Sequence, residues 1–397
     1  MLSLSMVVRD EALRLERCLA SVAGFVDEMV VVDTGSQDDS AAIAERLGAR
    51  VQHLPWPGDF APARNQALRA ARGEWVLVLD GDELLLPEAI PPLRRLMAEP
   101  DALLINLLRR EEGARQAPYS SVSRLFRRHP AIHWSGAYHA QVDDSITTLL
   151  QREPHWRLLD CPVPALLHEG YRPELLEGSG KAGRLRAAME AELSRQPGDP
   201  YACAKLGGLE WSEGHGQRAV ALLEQGLAHC RADQTAERFE LLLHLALARS
   251  ASAPALAADL YRQAIGLPLN PRVVLAAQLN LSVLLLEQGQ LAEAAERAEA
   301  ACAAAPELAT AWLQRGRVAR QQGNLANALA AYREAIARDP QLAEAHQNLA
   351  VACLLAGDIP GARRGFSTAL RCLRQQGRKL EADALAVQAG ALVKLEP

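Results

Sequence analysis

The sequence predicts two folds in one chain: an α/β domain with a mostly parallel sheet, then an all-α solenoid of repeated helix pairs. Three observations carry this. Over residues 1 to about 170, short apolar, β-branched runs alternate with segments of helical spacing. From about residue 185 onward such runs disappear, alanine and leucine dominate, and a pattern recurs every 34 residues or so. Third, Asp80, Asp82 and Glu83 cluster directly after an apolar run, where an open α/β sheet binds its ligands.

The elements follow in order. Leu2–Val8 reads as a first strand. Glu11–Ala23 has helical spacing, with Leu13, Leu15, Leu19 and Val22 as its apolar set. Glu28–Val32 is a second strand, Asp38–Leu47 a helix, Ala49–Leu54 a third strand, Phe60–Ala71 a helix and Trp75–Leu79 a fourth strand. Continuous apolar strands separated by helices imply a sheet covered on both faces.

In the second half the clearest unit is Trp312, Gly316, Gly323, Ala328, Tyr332, Ala335 and Pro340. His346, Ala350, Gly357, Ala362, Phe366 and Ala369 repeat it in register, and Ser282, Gly289, Ala294, Ala298, Ala301 and Pro306 precede it. This is the tetratricopeptide pattern. Small residues let paired helices approach, the aromatic fills the groove between units, and proline ends the unit where a helix cannot continue. Weaker copies fit at Gly207, Gly214 and Ala219 and at Ala257, Tyr261 and Ala264. About five units with a capping helix near Leu380–Val393 give a short solenoid. The expected domains are residues 1–184 and 185–397. Gln278, Gln314 and Gln347 are expected on the open groove of the repeats.

Composition excludes several classes. A net charge of −5 gives no pull toward nucleic acid or anionic membrane. Seven scattered cysteines without a CxxC pair argue against structural zinc and fit reduced thiols. No run of about 18 uncharged apolar residues is present, so no membrane span is expected. The N-terminus lacks a basic n-region, and the expected location is cytoplasmic. Gly178-Ser179-Gly180-Lys181-Ala182-Gly183 fits GxGxxG but follows no strand, and no GxSxG elbow occurs.

The chemistry sits at the predicted strand ends. Asp33 follows Met29-Val30-Val31-Val32, and Asp80 follows Val76-Leu77-Val78-Leu79. Three acids in four residues repel one another. A divalent cation or the donors of a bound ligand would offset this, and hard cations take carboxylate oxygens while bridging phosphates. The competing reading is a solvated acidic turn that caps the helix after Pro87.

The first 185 residues resemble glycosyltransferase family 2, in its branch with tetratricopeptide repeats. The matching residues are Val7-Val8-Arg9-Asp10-Glu11, Val31-Val32-Asp33-Thr34-Gly35-Ser36, Trp56 with Asp59-Phe60, Arg64-Asn65, Trp75 through Glu83, Arg124-Leu125-Phe126-Arg127, Gly136 with His139, and His168-Glu169-Gly170-Tyr171. The resemblance implies a GT-A fold and an inverting hexosyltransferase that uses a nucleotide-diphosphate sugar, expected to be UDP-linked, with Mn²⁺ or Mg²⁺. Arg9, Glu11, Asp33, Arg64 and Asp80 would bind the nucleotide sugar, with Glu11 and Asp33 at uracil and ribose. Asp82 would hold the metal and His168 would complete its shell. His139, a nearby acid such as Asp143 or Asp144, or a residue elsewhere would be the catalytic base; relatives tend to carry His-Glu here, whereas this chain has His139-Ala140. Trp134 and Tyr138 would stack on a sugar or pack in the core. The repeats would hold the acceptor, a peptide, protein or saccharide. A repeat scaffold with a catalytically silent sugar-nucleotide domain is the alternative.

Overall fold

The computed structural model describes residues 1–113, 118–136, 140–169 and 181–394. It divides into two units, Met1–Arg195 and Gln196–Pro397.

In the first unit, β1 (Leu2–Val8) is flanked by β2 (Glu28–Asp33) and β4 (Trp75–Val78), both parallel to it. β3 (Arg50–His53) extends the parallel set beside β2. Helices α1 (Ala12–Val22), α2 (Ser40–Arg46) and α3 (Phe60–Ala70) make the crossovers. α1 buries Leu15, Cys18, Leu19 and Val22. These fall on one stripe at i, i+3, i+4 and i+7, each full burial contributing roughly 1.5–3 kcal/mol for the leucines. Leu13 is off that stripe and 98% exposed, so its place in the apolar set belongs to Cys18.

The rest of the sheet departs from the parallel pattern. β5 (Glu83–Leu85) is followed by α4 (Ile90–Met97). β6 (Ala102–Glu111) and β7 (Tyr119–Arg127) pair antiparallel, because the short connection between them leaves no room for a crossover helix. β7 runs antiparallel beside β4. After α5 (Asp143–Arg152), β8 (Arg157–His168) returns parallel to β6, and its end pairs antiparallel with β5. The order is β3-β2-β1-β4-β7-β6-β8-β5. α6 (Lys181–Arg195) closes the unit.

The second unit is helical throughout its described residues. α7 (Pro200–Ser212) pairs with α8 (Gly216–His229), α9 (Thr235–Arg249) with α10 (Pro254–Ile265), and α11 (Leu275–Glu287) with α12 (Leu291–Ala304). α13 (Ala309–Gln321) pairs with α14 (Leu325–Arg338), and α15 (Ala343–Leu355) with α16 (Ile359–Gln375), before a last helix α17 (Lys379–Gly390). Within the fourth pair, Tyr332 is fully buried and its ring lies where a Cβ on Gly316 would sit. That contact gives the glycine and the aromatic of the repeat their roles. Gly316→Ala should destabilise the helical unit, because overpacking at the upper end of its usual range, about 3 kcal/mol, outweighs about 1 kcal/mol of gained helix propensity. Urea denaturation followed by circular dichroism measures it, and an unchanged or raised midpoint would contradict the packing described.

Candidate active site

Because β1, β2 and β4 are parallel, their carboxyl ends open on one edge. Arg9, Asp10 and Glu11 follow β1, Asp33 ends β2, and Asp80 lies just beyond β4. The antiparallel strands deliver the rest. Leu125 pairs with Leu77, which sets Arg124 beside the end of β4. His168 pairs with Glu83 on one side and Glu111 on the other. The Glu169 N–H donates to the Asp82 carbonyl at 3.1 Å, pinning His168 next to that residue.

The three clustered acids point three ways. Asp80 is clamped: Arg64 Nη2 reaches Oδ1 at 2.7 Å and Arg124 Nη2 reaches Oδ2 at 2.7 Å. Burial pushes the Asp80 carboxyl up, but Arg124 and Arg64 outweigh it and hold the pKa well below the ordinary range. Glu83 turns inward, fully buried, accepting from Arg109 Nη1 at 2.7 Å and from the Asp80 N–H at 2.9 Å. Asp82 faces His168, Oδ2 to Nε2 at 3.4 Å, with Arg14 Nη1 at 3.8 Å.

Behind His168, Nδ1 bonds Glu111 Oε2 at 2.5 Å, and Glu111 is anchored in turn by Arg109 Nε at 2.8 Å and the Ser120 hydroxyl. Burial lowers the His168 pKa, but Asp82 and Glu111 more than offset it and raise it to about 9. Glu11 is bonded by Arg14 at 2.6 Å, and Gly81 makes room for it; a Cβ there would lie 2.9 Å from Glu11 Cγ. Desolvation raises the Glu11 pKa, Arg14 lowers it, and the carboxylates of Asp82 and Asp80 raise it further. Five carboxylates, Glu11, Asp80, Asp82, Glu83 and Glu111, thus meet four guanidiniums, Arg14, Arg64, Arg109 and Arg124, and one imidazole. The repulsion that suggested a cation from sequence is largely compensated by the protein itself. The case for a metal rests instead on the pair Asp82 and His168. Their 3.4 Å separation is near the roughly 3 Å between adjacent ligands on bonds of about 2.1 Å, and a carboxylate oxygen is the ligand type that suits Mn²⁺ or Mg²⁺.

Two buried arginines carry spare donors. Arg64 Nε and Nη1 and Arg124 Nη1 have no hydrogen-bond partner among the described residues. Leaving such groups unpaired is costly, which points to an anion that completes them. Arg64 also stacks on Trp134, 4.8 Å from the ring centroid. Asn65 fixes Trp134 through two bonds to its backbone, both 2.9 Å. Trp134 is buried against Phe126, so it packs in the core and supports the clamp.

The remaining predicted residues scatter around this centre. Asp33 is buried and accepts from the Gly35 N–H at 3.2 Å, the Ser36 N–H at 3.3 Å and faces His53 Nδ1 at 3.4 Å. Asp10, with φ of 55°, holds the rim by accepting from Gln37 N–H at 2.7 Å. Such a strained residue is typical of functional loops. Arg9 is half-exposed, its Nε 3.8 Å from Asp10. Asp143 opens α5 and accepts from the Ser123 hydroxyl at 2.7 Å, next in sequence to Arg124. Its side chain reaches solvent, yet the protein crowding around it raises its pKa against the pull of Ser123. His139 and Tyr138 lie outside the described residues. Sequence reasoning missed Arg14, Arg109 and Glu111 and gave Arg124 no role, since their partners emerge only from the strand order.

Another triad that could hold a cation, Glu210, Glu213 and His215, lies in the helical unit. Arg218 sits 3.2 Å from Glu210 and supplies positive charge there.

Comparison with known proteins places the chain. The family model described as glycosyl transferase family 2 matches residues 3–159, and a tetratricopeptide-repeat model matches residues 279–343 and 313–376. A TPR repeat-containing protein of Synechococcus elongatus is 43% identical over 376 residues, 94% of this chain and 93% of that protein. An uncharacterized glycosyltransferase of Rickettsia bellii is 33% identical over 213 residues, 48% of this chain and 72% of its own length. The glycosyltransferase SunS of Bacillus subtilis is 25% identical over 201 residues, 49% of this chain and 45% of its own. With an α/β domain of this topology, an acidic strand-end site and the repeats following in sequence, the chain belongs to glycosyltransferase family 2, in the form that carries tetratricopeptide repeats, and is a glycosyltransferase.

Proposed function

We propose that the protein transfers a hexose from a UDP-linked donor, with inversion, to an acceptor recruited by its repeats. The observation that carries this is the pair of buried, half-satisfied guanidiniums of Arg64 and Arg124 beside Asp82 and His168. A diphosphate offers those N–H groups charged acceptors, and charge-assisted bonds to phosphate are the strong kind. Asp82 and His168 would hold Mn²⁺ or Mg²⁺, which supplies charge neutralisation to a leaving diphosphate. Glu11 and Asp33 accept from the uracil and ribose, Arg9 borders the donor on the β1 side, and Asp80 takes ribose hydroxyls through the lone pairs the arginines leave open.

The chemistry is a direct displacement. The acceptor nucleophile attacks the anomeric carbon, the bond to the diphosphate oxygen breaks, and its electron pair leaves with the diphosphate. Arg64 and Arg124 stabilise the charge that gathers there. Asp143 takes the acceptor proton, its raised pKa improving it as a base; His139 is the other candidate for that role. The two domains are assigned to residues 1–184 for the donor and 185–397 for the acceptor, which is a peptide, protein or saccharide. No helix among the described residues is long and apolar enough to cross a membrane. Seven free cysteines, six of them buried, accord with a reducing, cytoplasmic setting.

Purified protein incubated with Mn²⁺ and a panel of nucleotide sugars should release UDP from one UDP-hexose. Release of no nucleotide from any donor, with no donor binding by calorimetry, would reject the proposal. Asp82→Ala should abolish the Mn²⁺ dependence of UDP binding while the melting temperature holds; metal-dependent binding equal to wild type would overturn the metal assignment. Arg124→Gln should weaken UDP binding by about ten-fold or more, the worth of a hydrogen bond to a charged group, and unchanged affinity would remove Arg124 from the donor site.

A further inference from the structure

Gln314, expected on the open groove, is only 3% exposed on α13. Its partners fix which way its amide points. The Ser282 hydroxyl donates its one proton to the Ala294 carbonyl at 2.8 Å, so it can only accept from Gln314 Nε2 at 3.1 Å. The amide oxygen therefore turns to Arg317, whose Nη1 donates to it at 3.2 Å. A buried serine and a buried glutamine together orient one guanidinium, and the acceptor they give it is neutral. Arg317 has no carboxylate partner among the described residues, so its charge is left uncompensated.

The surroundings repeat the theme. Arg320 lies one turn further along the same face of α13, its Nε buried without a partner. The Tyr332 hydroxyl is buried beside it, within hydrogen-bonding reach of Arg320. Burial raises the Tyr332 phenol pKa, while the charges of Arg320 and Arg317 and a hydrogen bond from Arg320 pull it back. Residues 309–375 hold nine arginines and four acidic residues, whereas 275–307 hold one arginine and five glutamates. The positive excess is confined to the last two pairs. One turn from Ser282 on the neighbouring α11, the Gln278 Oε1 is buried and unpartnered too. That oxygen can only accept, and it needs an N–H that a simple anion lacks but a peptide backbone supplies.

We propose that Arg317 and Arg320, with the buried Tyr332 hydroxyl behind them, form an anion subsite in the helical unit that takes the carboxylate side chains of an acidic peptide segment. This deepens, and rests on, the reading that the repeats recruit the acceptor. A guanidinium fork matches a carboxylate in bidentate geometry, and Gln278 would take a backbone N–H of the same segment.

The test uses the full-length protein and fluorescein-labelled peptides of alternating Gly and Glu, with Gln and Lys counterparts, read by anisotropy at physiological salt. The Glu peptide should bind at least about ten-fold more tightly than the Gln peptide, as expected for a charge-assisted pair. Arg317→Gln should lose about ten-fold or more of that affinity with an unchanged melting temperature, and Arg317→Lys should restore part of it. Equal binding of Glu and Gln peptides, no binding of either, or wild-type binding by Arg317→Gln would overturn the proposal. Displacement of the Glu peptide by inorganic phosphate at equal concentration would overturn its peptide part. Loss of sugar transfer on deleting the repeats, with Glu-peptide binding normal in Arg317→Gln, would leave acceptor recruitment standing and remove this site alone.

Discussion

The clamp of Arg64 and Arg124 on Asp80 is the interaction on which the candidate site depends. Two guanidiniums can be buried at a strand end only because one carboxylate sits between them, and that carboxylate stays ionised only because they flank it. The clamp leaves N–H groups over on both arginines, so it is at once a structural tie and an anion receptor. It also joins α3 and the end of β4, which follow each other in the chain, to β7, whose Arg124 comes 44 residues after Asp80.

The sheet topology explains why the clamp can exist. Parallel strands β1, β2 and β4 bring their carboxyl ends to one edge, but they supply mainly acids there. The countercharge comes from Arg14 on α1, Arg64 on α3, and the antiparallel strands that carry Arg109 and Arg124. Glu111 and Asp82, held on either side of His168, extend the same logic one layer further. The reversed strands together with α1 and α3 thus convert a repelling acidic cluster into a charge-compensated, partly exposed one of fixed geometry.

Much of this was legible from the residues. The first four strands and three helices follow from apolar runs, and the repeats from their period, because burial on both faces and close helix packing leave strong local patterns. Asp80 and Asp82 could be placed at a strand end from Val76-Leu77-Val78-Leu79 alone. Leu13 failed because a generous helix window admitted a residue outside the buried stripe. Gln314 failed because a polar residue on a helix face reads as solvated, and only the three-dimensional pairing with Ser282 shows why it is buried. The roles of Arg109, Glu111 and Arg124 were invisible for the same reason: each depends on which strand lies beside which.

The central claim is that the strand-end cluster is a donor and metal site of fixed geometry. Crystals of the full chain grown with UDP and Mn²⁺, measured at a wavelength where manganese scatters anomalously, test it most directly. The account expects one anomalous peak within bonding distance of both Asp82 Oδ2 and His168 Nε2, with the diphosphate against Arg64 and Arg124. A peak only at Glu210, Glu213 and His215, or a diphosphate bound away from the two arginines, would contradict it.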